Sequence, residues 1–153
     1  WAPCPWTAAW NCSPGRWTTC SAFPRSPPPP WGAVGFCMGG GFVLQLAATD
    51  PRVSAAVPFY GVIQGELPDF TGTRAEILGH YGEEDGSVPP DSLDALRAAL
   101  EKQAGITPDL RLYPAGHAFF NDRRETYHAE AAAQAWESTL GFLHSRLEQT
   151  PGR

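Results

Sequence analysis

The feature that most constrains the fold is a cysteine set among glycines, in the run Gly35-Phe36-Cys37-Met38-Gly39-Gly40. A short apolar run precedes it, and a helix-like apolar stretch over residues 42–48 follows it. A nucleophilic side chain at such a junction is typical of a nucleophile elbow, a strand-to-helix turn so sharp that bulky neighbours would clash. We therefore expect Gly35 and Gly39 to be glycine for steric reasons. The pattern predicts Cys37 as the nucleophile.

Length and charge exclude several classes of protein. The 153 residues are enough for one modest domain with a core of its own. The net charge of −5 and the lack of a basic run give no reason to expect nucleic acid or anionic lipid as a partner. No apolar stretch approaches the roughly 20 residues that span a membrane, and no signal-peptide pattern is visible. We expect a cytoplasmic protein of undetermined oligomeric state.

Residues 1–30 differ in composition from the remainder of the chain. They contain four tryptophans and a four-proline run, but no Asp, Glu, Leu, Ile, Val or Lys. Two interpretations stand: a disordered leader with a binding role, or the product of a mistaken gene start joined to a genuine C-terminal part. The second is favoured, because a segment without Leu, Ile or Val cannot build a core. We predict an atypical, disordered leader over 1–30 and a folded part over 31–150.

Three of the four cysteines lie in this leader, at Cys4, Cys12 and Cys20. Their spacing of eight residues fits none of the usual paired zinc patterns, so we predict no metal site. A disulfide between two of the three stays open as an alternative.

From Trp31 onward, strand and helix patterns alternate. The predicted elements are strands over 31–36, 53–60, 76–81 and 110–113, and helices over 39–49, 91–104 and 125–148. Asp91 is the expected N-cap of the second helix. The last helix has an apolar stripe formed by Trp136, Leu140, Leu143 and Leu147. This order predicts an α/β fold with a mostly parallel sheet and helices on its faces.

Three chemically distinctive groups follow successive predicted strands. They are Cys37, an acidic turn that contains Asp85, and a Gly-His pair that contains His117. Ligands of open α/β sheets bind outside the carboxyl ends of the strands. His117 would take the thiol proton and return it to the leaving group, and Asp85 would hold the imidazole tautomer. The helix N-terminus would favour the thiolate, and the Met38 N–H would supply half of an oxyanion hole.

Each of these residues also has a plainer interpretation. Cys37 alone is equally typical of a small buried hydrophobe, Asp85 of a loop cap, and His117 of an ordinary loop histidine. The order of the three, each after a predicted strand, favours the chemical interpretation, because nucleophile, acid and histidine is the chain order of α/β-hydrolases.

Other candidate groups are weaker. Glu83 and Glu84 adjoin the acidic turn, and either is an alternative to Asp85 as the acid. His80 falls within a predicted strand, where packing is the expectation. Two further histidines fall on the last predicted helix, where solvent exposure is expected: His128 and His144.

The motifs over 35–40, 82–89 and 113–119 together resemble those of the dienelactone hydrolase family, and the resemblance spans residues 32–147. It implies an α/β-hydrolase fold and hydrolysis of a small-molecule ester or lactone, such as the enol-lactone ring of a dienelactone, without a cofactor. Carried over by position, it implies Cys37 as nucleophile, Asp85 as orienting acid and His117 as base.

The resemblance also implies elements upstream of the elbow: further strands, a second oxyanion-hole donor, an acid that pairs with the resting thiol, and a substrate-binding arginine. Residues 1–30 contain none of these recognisably, so we expect a fold truncated on its N-terminal side. Arg123 and Arg124 lie near the position of a second family arginine, but Asn121 and Asp122 intervene. Two alternative functions therefore stay open: an inactive fragment or pseudoenzyme from a mistaken gene start, and a related thioesterase.

Overall fold

The computed structural model describes residues 30–148 as four strands and three helices in the predicted order. The elements are β1 (Trp31–Phe36), α1 (Met38–Thr49), β2 (Val53–Phe59), β3 (Glu76–Gly82), α2 (Pro90–Ala104), β4 (Asp109–Tyr113) and α3 (Ala129–Leu147). The predictions made for residues 1–29, including those for three of the cysteines, lie outside the described residues.

The strands form one parallel sheet in the order β1-β2-β3-β4. Neighbouring residues of β3 point to opposite faces of the sheet, since strand side chains alternate. Ile77 belongs to a core cluster shared with α1 and α2, whereas Leu78 belongs to a cluster shared with α3. The predicted α/β fold is therefore confirmed, with helices on both faces. No helix within residues 30–148 is long and apolar enough to cross a bilayer.

The three helix starts differ from the prediction by one to four residues, and α1 begins one residue early, at Met38. α2 begins at Pro90 with Pro89 as its N-cap, so Asp91 lies in the first turn and does not cap it. Proline suits this position because its fixed φ matches the helix and its missing N–H leaves no donor unsatisfied. α3 begins at Ala129, four residues later than expected, and the side chain of His128 caps it by accepting the Ala131 N–H.

The apolar stripe predicted for α3 faces the sheet only in part: Leu143 and Leu147 are half-buried beside Gly32 of β1, and no residue of the stripe is fully buried. The buried residues are small, namely Ala131, Ala132, Ala135 and Thr139. Trp136 and Leu140 are instead 42% and 51% exposed. Small side chains allow the helix backbone to approach the sheet closely, so the alanines are buried while the larger Leu143 is only half-buried.

Candidate active site

Cys37 lies between the last residue of β1 and the first residue of α1, with its side chain exposed. Its backbone has φ 54° and ψ −120°, a conformation that L-residues rarely adopt. The Cys37 N–H donates to the Phe59 carbonyl at 3.0 Å, and the Cys37 carbonyl accepts from the N–H groups of Gly40, Gly41 and Val62. These four backbone hydrogen bonds fix the strained residue between β1, α1 and the end of β2.

The glycines around Cys37 differ in their steric role. A Cβ on Gly35 would lie 2.2 Å from the Gly39 carbonyl oxygen, and one on Gly41 would lie 2.1 Å from the Val62 carbonyl oxygen. Gly40 likewise faces backbone, 2.7 Å from the Cα of Gly61. A Cβ on Gly39 would meet nothing within 4 Å, so the expectation of a steric requirement at Gly39 was wrong. The close approaches are made by Gly35, Gly40 and Gly41.

The three sequence-predicted groups lie in one line of contacts. The Nε2 atom of His117 is 3.2 Å from the Cys37 Sγ atom, and its Nδ1 atom is 2.7 Å from the Asp85 Oδ2 atom. These distances are within the reach of a hydrogen bond, with the imidazole between thiol and carboxyl group. His117 is 80 positions from Cys37 in the sequence and 32 positions from Asp85.

The acidic turn after β3 brings only Asp85 to His117. The Asp85 side chain is fully buried, and its second oxygen, Oδ1, accepts the Ser87 N–H at 2.8 Å. Glu83 and Glu84 are exposed, on the outside of the same turn. The geometry therefore favours Asp85 over these two alternatives as the partner of the imidazole.

Two residues that sequence reasoning missed hold the histidine loop. Tyr60, with φ 38°, directs its ring edge-to-face against the His117 ring at 5.1 Å. The Thr126 hydroxyl donates to the His117 carbonyl at 2.6 Å. Burial, and secondarily the charge of Cys37, raise the pKa of Tyr60 to about 12, so the phenol stays protonated at neutral pH. The one sequence signal for Tyr60 is its place at the end of the strand beside the elbow.

His80 is packed inside the fold, as its place in a strand predicts. Its Nδ1 atom is 2.9 Å from the Tyr113 hydroxyl and its Nε2 atom is 3.0 Å from the Thr139 hydroxyl. Because Thr139 donates onward to the Ala135 carbonyl, Nε2 carries the proton and Nδ1 accepts from Tyr113. Burial, with a smaller contribution from Arg111, lowers the pKa of His80 to about 4.

The other candidate residues lie away from this line. His128 caps α3 instead of lying on the helix, which corrects its predicted place, and His144 is exposed and 3.0 Å from Glu148. Arg123 and Arg124 are exposed and line an open cleft of about 410 Å³ that also includes His117. Met38 opens α1, where the first N–H groups of a helix have no acceptor within the helix.

A thiol, an imidazole and a carboxyl group in this arrangement can perform acyl transfer. The sequence model of the dienelactone hydrolase family matches residues 18–147 of this chain. The chain belongs to the dienelactone hydrolase family. Among its relatives, a protein of Escherichia coli K12 named as a carboxymethylenebutenolidase is 38% identical over an alignment 120 residues long, which covers 72% of this chain and 44% of that protein. A Saccharolobus solfataricus protein of the same name is 38% identical over an alignment 112 residues long, which covers 72% of this chain and 42% of that protein.

Solved structures of the family show the same fold. A dienelactone hydrolase of Klebsiella pneumoniae superposes with a TM-score of 0.65 at 38% identity, over 71% of this chain and 49% of that one. The dienelactone hydrolase-like phosphotriesterase P91 from metagenomic libraries superposes with a TM-score of 0.61 at 26% identity, over 74% of this chain and 51% of that one. This chain thus spans about half the length of the relatives that it matches.

Proposed function

We propose that this protein hydrolyses a carboxylic ester or lactone by thiol-based nucleophilic catalysis, with Cys37 as nucleophile, His117 as general base and acid, and Asp85 as the residue that orients the imidazole. The observation that supports the proposal most strongly is the unbroken contact line from Sγ through the imidazole to a buried carboxyl group. Family membership supports the hydrolase class.

In the first half of the reaction, the thiol proton passes to Nε2 of His117 while Sγ forms a bond to the carbonyl carbon. The carbonyl oxygen gains negative charge, and the Met38 N–H at the start of α1 would stabilise it. The tetrahedral intermediate then expels the alcohol oxygen, which takes the proton from His117. In a lactone, this alcohol stays attached to the acyl group, because the broken bond closes a ring.

In the second half, a water molecule attacks the thioester carbon and gives its proton to His117. The second intermediate expels Sγ, which regains a proton, and the carboxylic acid leaves. Asp85 accepts from the Nδ1–H throughout, so Nε2 faces the thiol in the state that can accept its proton. Its burial keeps water from competing for that hydrogen bond.

The substrate proposed is a small ester or lactone, by analogy with the relatives named as carboxymethylenebutenolidases. The cleft beside His117 adds one observation, since two arginines on its wall, Arg123 and Arg124, outnumber the one carboxylate, Glu125, and suit a substrate that carries a carboxylate. Neither nucleic acid nor a membrane is part of this proposal. A cytoplasmic location stays a prediction from the sequence.

The test combines turnover with thiol labelling on the complete 153-residue chain. We expect only slow release of p-nitrophenol from p-nitrophenyl acetate, or slow opening of a dienelactone, because the Met38 N–H is the one oxyanion-hole donor identified. Both activities should be lost in Cys37→Ala. Cys20→Ala is the matched control and should retain activity. Iodoacetamide should alkylate Cys37 before the other three cysteines. Turnover should fall in proportion to the fraction of Cys37 that is alkylated.

Three results would contradict the proposal. Turnover that persists in Cys37→Ala would exclude the thiol as nucleophile. No turnover of any ester or lactone by the folded chain would favour an inactive fragment or pseudoenzyme. Hydrolysis of acyl thioesters far ahead of the matching oxygen esters would favour the thioesterase alternative.

A further inference from the structure

Backbone strain in this protein is concentrated at the candidate active site. Within residues 30–148, three residues other than glycine have a positive φ: Cys37 at 54°, Tyr60 at 38° and Ala118 at 64°. Such a conformation is unfavourable for a residue with a side chain and persists only where the surrounding structure imposes it. Cys37 is the proposed nucleophile, and Ala118 directly follows His117. The remaining strained residue, Tyr60, is neither nucleophile, base nor acid.

The positive φ of Tyr60 turns its side chain to the face of the sheet on which α3 lies. Tyr60 directly follows β2, along which side chains alternate between the two faces. Ala56 belongs to the core cluster shared with α1 and α2, and Phe59 belongs to the cluster shared with α3. Continued alternation would place Tyr60 on the side of Ala56, yet Tyr60 belongs to the same cluster as Phe59. The strained conformation therefore brings the ring against the ring of His117.

The Tyr60 ring lies between the elbow and the histidine loop. Its centroid is 6.3 Å from that of Phe36, the residue before Cys37, and 5.1 Å from that of His117. Phe119, two residues after His117, packs edge-to-face against it at 5.5 Å. The Tyr60 residue is only 3% exposed, so close packing holds the ring in place. One ring thus contacts both segments that carry the proposed nucleophile and base.

The backbone on both sides of Tyr60 is hydrogen-bonded to the elbow. The Phe59 carbonyl accepts from the Cys37 N–H at 3.0 Å, and the Val62 N–H donates to the Cys37 carbonyl at 3.2 Å. The Tyr60 N–H itself donates to the His80 carbonyl at 2.6 Å. Because these bonds fix the backbone of Tyr60 relative to Cys37, the ring on that backbone limits how the imidazole can approach the thiol.

We propose that Tyr60 is a positioning residue, whose ring acts as a spacer that sets the separation between the Cys37 Sγ atom and the His117 Nε2 atom. This inference rests on the proposed function, because the two atoms belong to the proposed nucleophile and base. The hydroxyl is not part of the spacer, since the contacts with Phe36 and His117 are contacts of the ring. The strain is retained because an unstrained Tyr60 would direct its ring to the other face of the sheet.

Three substitutions separate the ring from the hydroxyl and from the strain. Tyr60→Phe retains the ring, whereas Tyr60→Leu removes it and leaves the same strain, because leucine tolerates a positive φ as poorly as tyrosine. Tyr60→Asn also removes the ring but tolerates a positive φ, so it serves if the leucine variant does not fold. The control is Phe120→Leu, which removes a ring that contacts Phe36, Phe59 and Trp136.

The first measurement is the rate at which iodoacetamide alkylates Cys37 in the complete chain, followed by mass spectrometry on the peptide that contains it. At pH 6.5 alkylation depends on His117 taking the thiol proton, whereas at pH 9.5 an ordinary thiol ionises unaided. The ratio of the rate at pH 6.5 to that at pH 9.5 should fall about tenfold in Tyr60→Leu. It should keep the wild-type value in Tyr60→Phe and in Phe120→Leu.

The second measurement is hydrolysis of p-nitrophenyl acetate. In Tyr60→Leu, kcat should fall about a hundredfold, because a base displaced by about 1 Å costs that much, while KM should stay within about twofold. A merely structural role would appear as a smaller folded fraction by circular dichroism, with an unchanged alkylation ratio in the folded protein.

The outcomes separate this inference from the proposed function. A wild-type alkylation ratio in Tyr60→Leu and Tyr60→Asn would refute the spacer, and so would an equal fall in Phe120→Leu. An equal fall in Tyr60→Phe would assign the role to the hydroxyl and refute the ring as spacer. If the wild-type protein hydrolyses no ester, the proposed function fails, whereas the alkylation ratio still decides whether Tyr60 sets the contact between thiol and imidazole.

Discussion

The proposed nucleophile and the histidine of this site are held in place in different ways, one by main-chain contacts and the other by side-chain contacts. Cys37 is fixed by backbone alone: four main-chain hydrogen bonds and glycines that touch neighbouring backbone. His117 is fixed by side chains, through Asp85, the Tyr60 ring and the Thr126 hydroxyl. Close backbone packing requires glycine, which is recognisable in the local sequence. Side-chain support comes from distant elements and produces no recognisable local pattern.

This contrast predicts what a substitution at the Cys37 elbow and one near His117 should each impair. A change at the elbow should damage fold and activity together, because it displaces backbone. A change on the histidine side should damage activity or local stability and leave the fold in place.

On the histidine side, the largest effect on activity is expected from Asp85→Asn. The substitution retains shape but favours the wrong imidazole tautomer, and in other triads it lowers kcat by about 10⁴. Ester turnover should fall by about a thousandfold or more, with an unchanged circular dichroism spectrum. Glu84→Gln, exposed on the same turn, is the control and should retain activity. A loss in Glu84→Gln equal to that in Asp85→Asn would assign the acid differently.

The next effect is expected from Gly35→Ala. The new Cβ would lie 2.2 Å from a backbone oxygen that cannot move away, so we expect a loss of about 3 kcal/mol in the free energy of unfolding and loss of turnover. Gly39→Ala, where a Cβ meets nothing, should be neutral or stabilise by about 0.5–1 kcal/mol. Urea denaturation measures both. Equal destabilisation by the two changes would show that the elbow is not set by the Gly35 contact.

Lowering the pH should destabilise the fold through His80, a β3 residue whose ring is hydrogen-bonded to Tyr113 of β4 and Thr139 of α3. Its pKa falls from an ordinary 6.5 to about 4 on folding, so the unfolded chain binds more protons between these values. The free energy of unfolding is therefore highest above pH 6.5. It should fall by about 3 kcal/mol as the pH is lowered from 6.5 to 4.

Denaturant unfolding at pH 7, 5.5 and 4.5 would show this slope. In His80→Gln it should be markedly smaller, whereas His144→Gln, at an exposed histidine, should leave it in place. An identical slope in the wild type and His80→Gln would contradict the assignment.

The smallest effect is expected from Thr126→Val, which removes the hydroxyl that holds the His117 carbonyl. A hydrogen bond of this kind contributes about 1 kcal/mol to stability, so the free energy of unfolding should fall by about that amount. The kcat should fall several-fold, because the loop that carries the imidazole is held less firmly. Thr107→Val, at an exposed threonine outside the cleft beside His117, serves as the control. No change in kcat would show that Tyr60 and Asp85 suffice to orient the imidazole.

The prediction from sequence succeeded where a local physical rule applies. The element order followed from the apolar periodicities, and the elbow followed from glycines beside a cysteine. It failed at the start of α3, because a histidine cap does not resemble the usual Ser, Thr, Asp or Asn signal. It also failed on the buried face of α3, because hydrophobicity favours Trp136 and Leu140 while close packing selected the alanines.

The sequence by itself determined the fold class, the candidate nucleophile and the short set of candidate partners, since these depend on spacing, residue type and chain order. Only the tertiary structure decided that Asp85, and not Glu83 or Glu84, meets His117, and that Tyr60 supports the ring. The physical reason is distance along the chain: contacts across 32 to 80 positions depend on the register of parallel strands, and no local pattern encodes that register.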